Sequence, residues 1–418
     1  MTQLASPVRS ENQTAQDSPY ACVRLGAALA LMTIGGAGMY AMAVALSSVQ
    51  AEFGVERAAA TLPYTLTMIA FGLGGIVMGR LSDRFGVMVP VLVGGSCLGL
   101  GFIAASMAPN LAIFALAHGL LIGVGCSGTF APLVADISMW FTRRRGIAVA
   151  VCASGNYLAG AVWPPILHHF FEAAGWRATY AGVGLFALAA ALPLALFLRR
   201  RAPLPVSASG SWSARALHAQ PLGLSPKALT VLLSIAGVAC CVAMAMPQVH
   251  IVAYCGDLGY GAARGSEMLA LMLASGVVSR LAFGWISDRI GGIRTLLAGS
   301  VLQGIALLLF LPFDGLTSLY VVSALFGLFQ GGLVPAYTII IREYFAPGEA
   351  GLRVGIVIMA TLFGMALGGW MSGAIFDFTG SYRAAFVNSI AFNLLNLGIV
   401  LWLLRRANLL GSRRLAFP

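Results

Sequence analysis

Apolar stretches of about 20 residues recur along this chain from Leu25 to Leu404. Each is long enough to cross a hydrocarbon core of roughly 30 Å as a helix. The chain has 418 residues, of which 59% are hydrophobic and only 9% are charged, whereas a soluble domain is about a quarter charged. Backbone groups inside lipid must be satisfied within a segment, and the stretches lack the alternation of a barrel. The sequence therefore predicts an all-α membrane protein.

The charge-free stretches predict twelve transmembrane helices in two sets of six. The first set is Leu25–Gln50, Ala58–Gly79, Val87–Met107, Leu111–Ala135, Gly146–Phe171 and Ala178–Leu198. The second set is Leu229–Cys255, Ser266–Ile286, Ile293–Pro312, Leu316–Ile341, Val354–Phe376 and Ala384–Leu404. We expect two six-helix bundles, at residues 25–198 and 228–404.

The distribution of basic residues predicts the orientation in the membrane. Twelve spans place both termini on one side, and twenty of the 25 Lys and Arg residues lie on that side. The opposite side has four, Arg57, Arg177, Arg264 and Arg383, and Arg280 lies within a span. Positive residues concentrate on the cytoplasmic side. The N-terminal tail 1–24, the linker 199–227 and the C-terminal tail 405–418 are therefore predicted to be cytoplasmic, in a protein of the cell inner membrane.

Several classes of protein are disfavoured by the same composition. The net charge is +11, but the basic residues are dispersed between spans, without the basic domain typical of nucleic-acid binding. The seven cysteines include no CxxC pair, so we predict no metal site and no cofactor. Acidic residues are almost absent from the spans, which disfavours a membrane enzyme or receptor. No phosphate-binding P-loop occurs, so a transport process must draw on a gradient.

The chain contains an internal repeat at an offset near 205 residues. Gly-Arg-Leu-Ser-Asp-Arg-Phe-Gly at 79–86 matches Gly-Trp-Ile-Ser-Asp-Arg-Ile-Gly at 284–291. Further echoes pair Gly175-Trp176-Arg177 with Ser381-Tyr382-Arg383, and Pro132 with Pro335. Six spans separate the copies, so the halves share one orientation. This symmetry suits alternating access, in which two bundles rock about a site near the bilayer midplane.

The repeated loops are predicted to form a latch that holds one conformation of the carrier. Glycines permit close helix approach and tight turns, the aspartates lie near a helix N-terminus, and Asp136 is a candidate partner for Arg80 or Arg84. Simple cytoplasmic anchoring is the alternative. The predicted gating residues are Gly79, Arg80, Asp83, Arg84, Gly86, Asp136, Gly284, Asp288, Arg289 and Gly291.

The paired loops, the twelve spans and the basic linker resemble the major facilitator superfamily from about Leu25 to Leu404. Within it, Trp140-Phe141-Thr142-Arg143-Arg144-Arg145-Gly146 followed by Ala153-Ser154-Gly155 is similar to the fifth-helix entry of monocarboxylate transporters and bacterial oxalate/formate exchangers. Glu52-Phe53-Gly54 followed by Arg57-Ala58-Ala59 also resembles their first periplasmic loop. The fifth span has Trp163-Pro164-Pro165 where drug/proton antiporters have a Gly-Pro-rich element. This difference disfavours a multidrug exporter.

Arg280 is the predicted centre of the solute site. It lies eight positions before Asp288, about 12 Å deeper along a helix. An arginine at this depth costs at least about 2.5–3.5 kcal/mol on insertion scales and needs a partner or a water-filled cavity. A carboxylate would fit, because guanidinium binds it through two parallel hydrogen bonds. The resemblance implies the same, since an eighth-helix arginine binds the substrate carboxylate in that family. Snorkelling or a permanent ion pair is the alternative.

Two departures from the family bear on coupling and charge. Gly276 stands where animal monocarboxylate carriers have an aspartate, so their proton-coupling mechanism is not implied here. The eleventh span reads TLFGMALG at Thr361–Gly368, without the lysine of the oxalate exchanger. One buried cation favours a monoanion, because a second carboxylate would have no partner.

Other polar residues within the spans are weaker candidates, each with helix-to-helix hydrogen bonding as the alternative. Histidine side chains ordinarily titrate near neutrality, so His250 is a candidate proton carrier, as is the carboxylate of the Gly256-Asp257 pair. We predict a secondary carrier of a small organic anion, by proton symport or exchange for a counter-anion, and the alternative carrier function is efflux of amphipathic drugs or metabolites. The predicted substrate-binding residues are Arg280, Tyr40, Asn156, Tyr157, Gln248, His250 and Tyr337.

Overall fold

The structure is a computed structural model that describes residues 16–141, 143–200, 221–345 and 347–415. The side chains of residues 145, 221, 347, 348, 350 and 410–415 are outside the description. Parts of the predicted tails 1–24 and 405–418 and of the predicted linker 199–227 therefore lie outside the described residues.

Within these ranges the regular elements are helical, and no strand occurs. The first part of the chain forms α1 Pro19–Gly35, α2 Ala37–Phe53, α3 Arg57–Ala60, α4 Leu62–Phe85, α5 Met88–Ser106, α6 Leu111–Leu116, a π-helix Ala117–Ile122, α7 Gly123–Gly128, α8 Ala131–Trp140 and α9 Arg145–Leu196. A 3₁₀ turn at Pro221–Gly223 precedes α10 Pro226–Asp257, α11 Ala262–Ile290, α12 Gly292–Leu309, α13 Leu316–Gln330, α14 Leu333–Tyr344, α15 Pro347–Thr379 and α16 Tyr382–Leu415.

Eleven helices among the described residues are long and apolar enough to cross a membrane, whereas the sequence predicts twelve spans. The difference lies in the 51-residue helix Gly146–Leu196, which as one rod would measure about 77 Å. Gly175 interrupts it with φ 80° and ψ 158°, a conformation that glycine adopts without steric cost. The break falls between the predicted spans Gly146–Phe171 and Ala178–Leu198, so one helix by length corresponds to two predicted spans.

Both repeats begin with the same local signal. Ser18 precedes Pro19 at the start of α1, and its Oγ accepts a hydrogen bond from Ala21 N. Ser225 precedes Pro226 at the start of α10, and its Oγ accepts from the N–H three residues later. A serine cap followed by proline is a strong helix start. The first helix therefore begins six residues earlier than the predicted span.

The chain divides into two compact units, here taken only for their described residues. The first unit combines Met1–Tyr40, Ala70–Gly160 and Phe170–Gly210, and the second combines Ala41–Ile69, Ala161–His169 and Ser211–Pro418. These units are defined by packing, whereas the predicted bundles 25–198 and 228–404 are defined by the sequence repeat. The bundle boundaries stay a prediction.

Small residues let helices approach closely in each unit. In the first, a Cβ added to Gly94 would lie 2.9 Å from the Cα of Gly128. In the second, a Cβ added to Gly364 or Gly368 would lie 2.5 Å or 2.6 Å from a carbonyl oxygen of α10. Small residues four positions apart drive helix association in membranes, because apolar burial gives no advantage there over contact with lipid.

Candidate functional site

Arg280 lies on α11, ten residues before the helix ends at Ile290. This spacing places its Cα about 15 Å from that end. The residue is half-buried, and its Nε atom is completely buried. Asp288 and Arg289, near the helix end, are exposed. The contrast is consistent with the predicted depth of Arg280, at which a guanidinium requires negative charge or water.

Helix α13 packs against the turn of α11 that leads to Arg280. A Cβ on Gly327 would lie 1.9 Å from the carbonyl oxygen of Met272, and a Cβ on Gly331 would lie 2.4 Å from that of Gly276. The same position on Gly331 would lie 2.8 Å from the Cβ of Ser279. The two helices are therefore in backbone contact immediately before Arg280, which fixes the position of its Cα.

Gln248 of α10 and Gln330 of α13 form a buried amide pair. The Nε2 of Gln248 donates to the Oε1 of Gln330 over 3.1 Å. Gln330 is the last residue of α13, and the helix resumes only at Leu333. Gln248 was predicted as a binding residue and Gln330 was not. The signal that could have found Gln330 is the Gly331-Gly332 pair after it, since glycine pairs interrupt helices.

His250 is fully buried on α10 between a hydroxyl and a carbonyl group. Its Nε2 lies 2.8 Å from the carbonyl oxygen of Gly369, and its Nδ1 lies 2.9 Å from the hydroxyl oxygen of Tyr382. The carbonyl can only accept, so in a neutral imidazole Nε2 carries the proton and Nδ1 accepts from Tyr382. Both ring nitrogens are therefore used by protein groups.

A cluster around Arg57 extends this network, and we call Gln50, Arg57, Asp257, Asp377 and Tyr382 the Arg57 cluster. The Nη1 of Arg57 lies 2.5 Å from Asp257 Oδ2 and donates to the Tyr382 hydroxyl over 3.1 Å. Its Nε donates to Gln50 Oε1 over 3.1 Å. Arg57 belongs to the first sequence repeat, whereas Asp257, Asp377 and Tyr382 belong to the second, and all five residues lie in the second compact unit.

Asp377 completes the cluster by capping the start of α3. Its Oδ1 accepts from the backbone nitrogen of Arg57 over 2.9 Å, and its Oδ2 accepts from that of Ala58 over 2.6 Å. Neither Asp377 nor Tyr382 was among the predicted site residues. A carboxylate at a helix N-terminus is favourable, but the partners are 320 residues apart, a separation that no local pattern reveals.

Tyr337 was predicted to bind substrate, and the structure shows its hydroxyl engaged with the protein. The residue is fully buried, and its hydroxyl donates to Asn396 Oδ1 over 2.9 Å. Asn396 in turn donates to Ser300 Oγ over 2.7 Å. Hydrogen bonds of this kind join helices within the apolar part of a membrane protein. The contacts match the alternative interpretation of Tyr337 as a residue that joins helices.

The remaining predicted binding residues, Tyr40, Asn156 and Tyr157, lie in the first unit. Tyr40 and Tyr157 are buried, and Asn156 is half-buried. The Oδ1 of Asn156 lies 3.4 Å from the position of a Cβ on Gly36, the residue at which α1 gives way to α2. Tyr40, on α2, follows this interruption by one turn. Asn156 therefore lies beside the junction of α1 and α2, a local irregularity within one apolar span, Pro19–Phe53.

The repeated loops adopt the same backbone turn. Gly86 and Gly291 have φ of 85° and 81°, the left-handed region that favours glycine, as the predicted tight turn requires. The predicted close helix approach is not seen at Gly79 or Gly284, because no heavy atom of the described part of the chain lies within 4 Å of an added Cβ there. The charged members of the two copies, Arg80, Asp83, Arg84, Asp288 and Arg289, are exposed.

The carboxylate of Asp136 has a partner other than the two that the sequence suggested. Asp136 pairs with Arg24, whereas the sequence pointed to Arg80 or Arg84: Arg24 Nε lies 2.7 Å from its Oδ2 and Arg24 Nη2 lies 2.8 Å from its Oδ1. Both residues are buried, and the guanidinium stacks on Trp140 at 4.6 Å. Arg24 was counted with the N-terminal tail, yet it lies in a helix.

Glu343 occupies the helix N-terminus that the sequence associated with Asp288. Its Oε1 and Oε2 accept from the backbone nitrogen of Gly292 over 2.9 Å and 3.2 Å. Gly292 is the first residue of α12, so the carboxylate there comes from the end of α14 rather than from the loop. The helix dipole favours negative charge at this end.

Long apolar helices with charged and amide side chains buried among them are typical of a multi-pass membrane protein. A family model described as Major Facilitator Superfamily matches residues 27–294 and 233–414. The chain belongs to the Major Facilitator Superfamily and is a membrane transporter.

Named relatives place monocarboxylate transporters among the proteins to which the chain is similar. It is 30% identical to monocarboxylate transporter 13 of Bos taurus over 332 residues, which covers 79% of this chain and 76% of the relative. It is 26% identical to an uncharacterized MFS-type transporter of Bacillus subtilis over 365 residues, 81% of this chain and 84% of the relative. These relatives confirm the resemblance stated from the sequence.

The fold is also similar to that of solved transporters. A bacterial homolog of the human lysosomal transporter Spinster, crystallised inward-facing and unoccupied, matches with a TM-score of 0.73 at 14% identity. The match covers 93% of this chain and 98% of that one. The predicted major facilitator fold is thereby confirmed.

Proposed function

We propose that this transporter is a secondary carrier of a small organic monoanion, most simply a monocarboxylate, across the inner membrane by alternating access. The observation that carries the proposal is Arg280, a half-buried guanidinium about 15 Å from the end of its helix. An anionic cargo offers it two parallel hydrogen bonds. Relatives named as monocarboxylate transporters support the same cargo class.

The eleventh span supports a cargo with one negative charge. Thr361–Gly368, the segment of the eleventh span in which an exchanger of dianions would have a second cation, contains only uncharged residues. A second carboxylate in this region would carry the desolvation penalty of an unpaired buried charge. The proposed cargo therefore has one carboxylate. The excess of basic residues on one side supports a cytoplasmic position for both termini and the linker.

The coupling ion is proposed to be a proton or a counter-anion. His250 supports the proton, because it contacts Tyr382 and through it Arg57 and Asp257. A proton added to the imidazole at Nδ1 would require the Tyr382 hydroxyl to stop donating to that nitrogen. Loading of His250 is thus linked to the contacts that hold the two sequence repeats together at Arg57. Exchange for a counter-anion requires no such rearrangement.

The test is uptake of a radiolabelled small carboxylate into proteoliposomes. Arg280→Gln should abolish saturable uptake, and Arg280→Lys should retain a weak remnant because lysine keeps the charge but not the planar fork. Arg383→Gln is the matched control, since Arg383 lies in the same unit with its side chain 70% exposed. Full activity of Arg280→Gln at equal reconstitution would contradict the proposal.

Direct binding gives a second test that is independent of the coupling ion. Small carboxylates should raise the thermal stability of the purified protein, because a ligand that binds only the folded state stabilises it. Neutral isosteres such as amides should not. Stabilisation by amphipathic cations instead of carboxylates would favour the alternative of drug or metabolite efflux.

A further inference from the structure

Gln330 has hydrogen-bond donors that the described residues do not use. Its side chain is fully buried, and its Oε1 accepts from Gln248 Nε2 over 3.1 Å. Its own Nε2, a donor of two hydrogen bonds, is buried with no acceptor among the described residues. Folded proteins leave few buried donors unsatisfied, because such a donor loses its hydrogen bonds to water and gains no hydrogen bond in the protein.

Other buried amides in the same unit use both their oxygen and their nitrogen in hydrogen bonds to the protein. Gln303 accepts from Asn393 Nδ2 over 3.0 Å and donates from Nε2 to the Cys240 carbonyl oxygen over 3.4 Å. Asn396 accepts from Tyr337 and donates to Ser300 Oγ. Both amides use a donor and an acceptor within the protein. Among the described residues Gln330 uses its acceptor but neither donor, which distinguishes it from Gln303 and Asn396.

The position of Gln330 connects it to the proposed anion site. It ends α13, and the next residue, Gly331, is in backbone contact with the Gly276–Ser279 turn that immediately precedes Arg280. The helix is interrupted there until Leu333. Carriers form their binding sites at interrupted helices near the bilayer midplane, where polar groups can be exposed to the cargo. The hydrogen bond from Gln248 fixes the orientation of the carboxamide.

We infer that Gln330 is a further binding residue, whose Nε2 donates to an uncharged oxygen that the cargo carries in addition to its carboxylate. The inference rests on the proposed function of Arg280. A carboxamide adds a donor without adding charge, so it complements a hydroxyl or carbonyl oxygen while the cargo remains a monoanion. Gln248 is then a positioning residue that acts through Gln330.

The test compares three-carbon acids on the purified full-length chain. Dissociation constants for propionate, 2-hydroxypropionate and 2-oxopropionate are obtained from the concentration dependence of the thermal shift. At least one oxygenated acid should bind roughly five- to tenfold more tightly than propionate, as one hydrogen bond predicts. Gln330→Met should remove this preference while propionate still binds. The control Gln303→Met, at an amide already satisfied by the protein, should retain it.

The outcomes separate this inference from the function on which it rests. If no carboxylate stabilises the wild-type protein, the anion-carrier proposal fails. If propionate stabilises it as well as the oxygenated acids do, or if Gln330→Met keeps the preference, only the role of Gln330 is overturned. An ordered water as the sole acceptor of Nε2 would give that second result. Gln248→Met provides an independent variant and should weaken the preference, because it releases the carboxamide from its fixed orientation.

Discussion

Asp377 holds the backbone nitrogen of Arg57 at 2.9 Å across 320 residues of sequence. The same carboxylate accepts a hydrogen bond from the backbone nitrogen of Ala58. It therefore caps α3, the short helix of the first repeat that begins at Arg57. The guanidinium of Arg57 stacks on the ring of Phe376, 4.0 Å from its centroid. One residue pair therefore ties a loop of the first repeat to a helix end of the second.

Removal of this cap should lower stability. Asp377→Ala leaves two backbone N–H groups without their acceptor, and loss of an N-cap costs about 0.5–2 kcal/mol. The measurement is the free energy of unfolding in detergent. Asp314→Ala is the control, because the Asp314 carboxylate makes a surface contact of 3.9 Å with Arg383, a type of pair that contributes about 0–1 kcal/mol. Equal effects of the two substitutions would show that the cap is not stabilising.

The buried pair of Arg24 and Asp136 should be sensitive to loss of one partner. Asp136→Ala leaves a buried guanidinium without its carboxylate, which destabilises a protein by about 3–5 kcal/mol. The double variant Arg24→Met with Asp136→Leu should recover most of this loss, because no buried charge remains. Thermal unfolding of the three proteins measures the difference. A double variant as unstable as the single one would mean that the charges themselves are not the cause.

Loss of the Tyr382 hydroxyl should lower the stability of the protein. Tyr382→Phe keeps the ring but leaves His250 Nδ1 buried without a donor, which costs about 1–3 kcal/mol. Tyr260→Phe removes a hydroxyl that contacts the Asp314 carbonyl oxygen at an exposed position, and a surface change of this kind falls within about 0.5 kcal/mol. Unfolding midpoints of the two variants, measured side by side, test this. A smaller effect at Tyr382 would imply that another group satisfies His250.

Helix contact next to Arg280 predicts a steric effect. Gly327→Ala would place a Cβ 1.9 Å from the carbonyl oxygen of Met272, so the helices must separate at a cost of about 1–3 kcal/mol. Gly284→Ala on α11, the helix of Met272 and Arg280, meets no described atom within 4 Å and should be neutral or stabilising by up to about 1 kcal/mol. Stability and carboxylate affinity should both fall for Gly327→Ala. Retention of both would mean that the contact is readily relaxed.

The repeated loops give a transport prediction. If the loops latch one conformation, Asp83→Asn should reduce uptake by several fold at equal reconstitution, since it removes the charge while keeping the shape. Ser287→Ala in the second copy, whose hydroxyl donates to the Gly284 carbonyl oxygen of its own helix, is a control for a change in the loop region. Unchanged uptake in Asp83→Asn would favour simple cytoplasmic anchoring.

The helices were accessible to sequence analysis because each span carries its own signal, an apolar stretch with few or no charges. Tertiary partners were not, since they depend on residues far apart in the chain. Arg24 looked like part of a basic tail, yet it is buried against Asp136. Tyr337 looked like a binding residue, yet Asn396 uses its hydroxyl. Polar residue type therefore indicated which side chains need partners, and only the structure showed whether the protein itself supplies them.

The functional candidates follow the same division. Arg280 could be selected because its depth follows from counting residues to Asp288, and depth alone makes a charge costly. The sequence marks the break after Gln330 by the Gly331-Gly332 pair, but the unused donor of Gln330 depends on every neighbour at once and is visible only in the structure. Gln248 was selected from residue type and span, and its contact with Gln330 became visible only in three dimensions.

The interruptions at Gly36 and Gly331 determine where these spans can bend. An unbroken helix such as Met88–Ser106 resists bending because each turn is held by backbone hydrogen bonds, whereas an interrupted one needs only a few dihedral rotations. The helices should therefore bend most easily beside Asn156 and at the end of α13, which carries Gln330. A small tilt of one half-helix would reorient the polar side chains beside the irregularity while the apolar ends of the span remain in lipid.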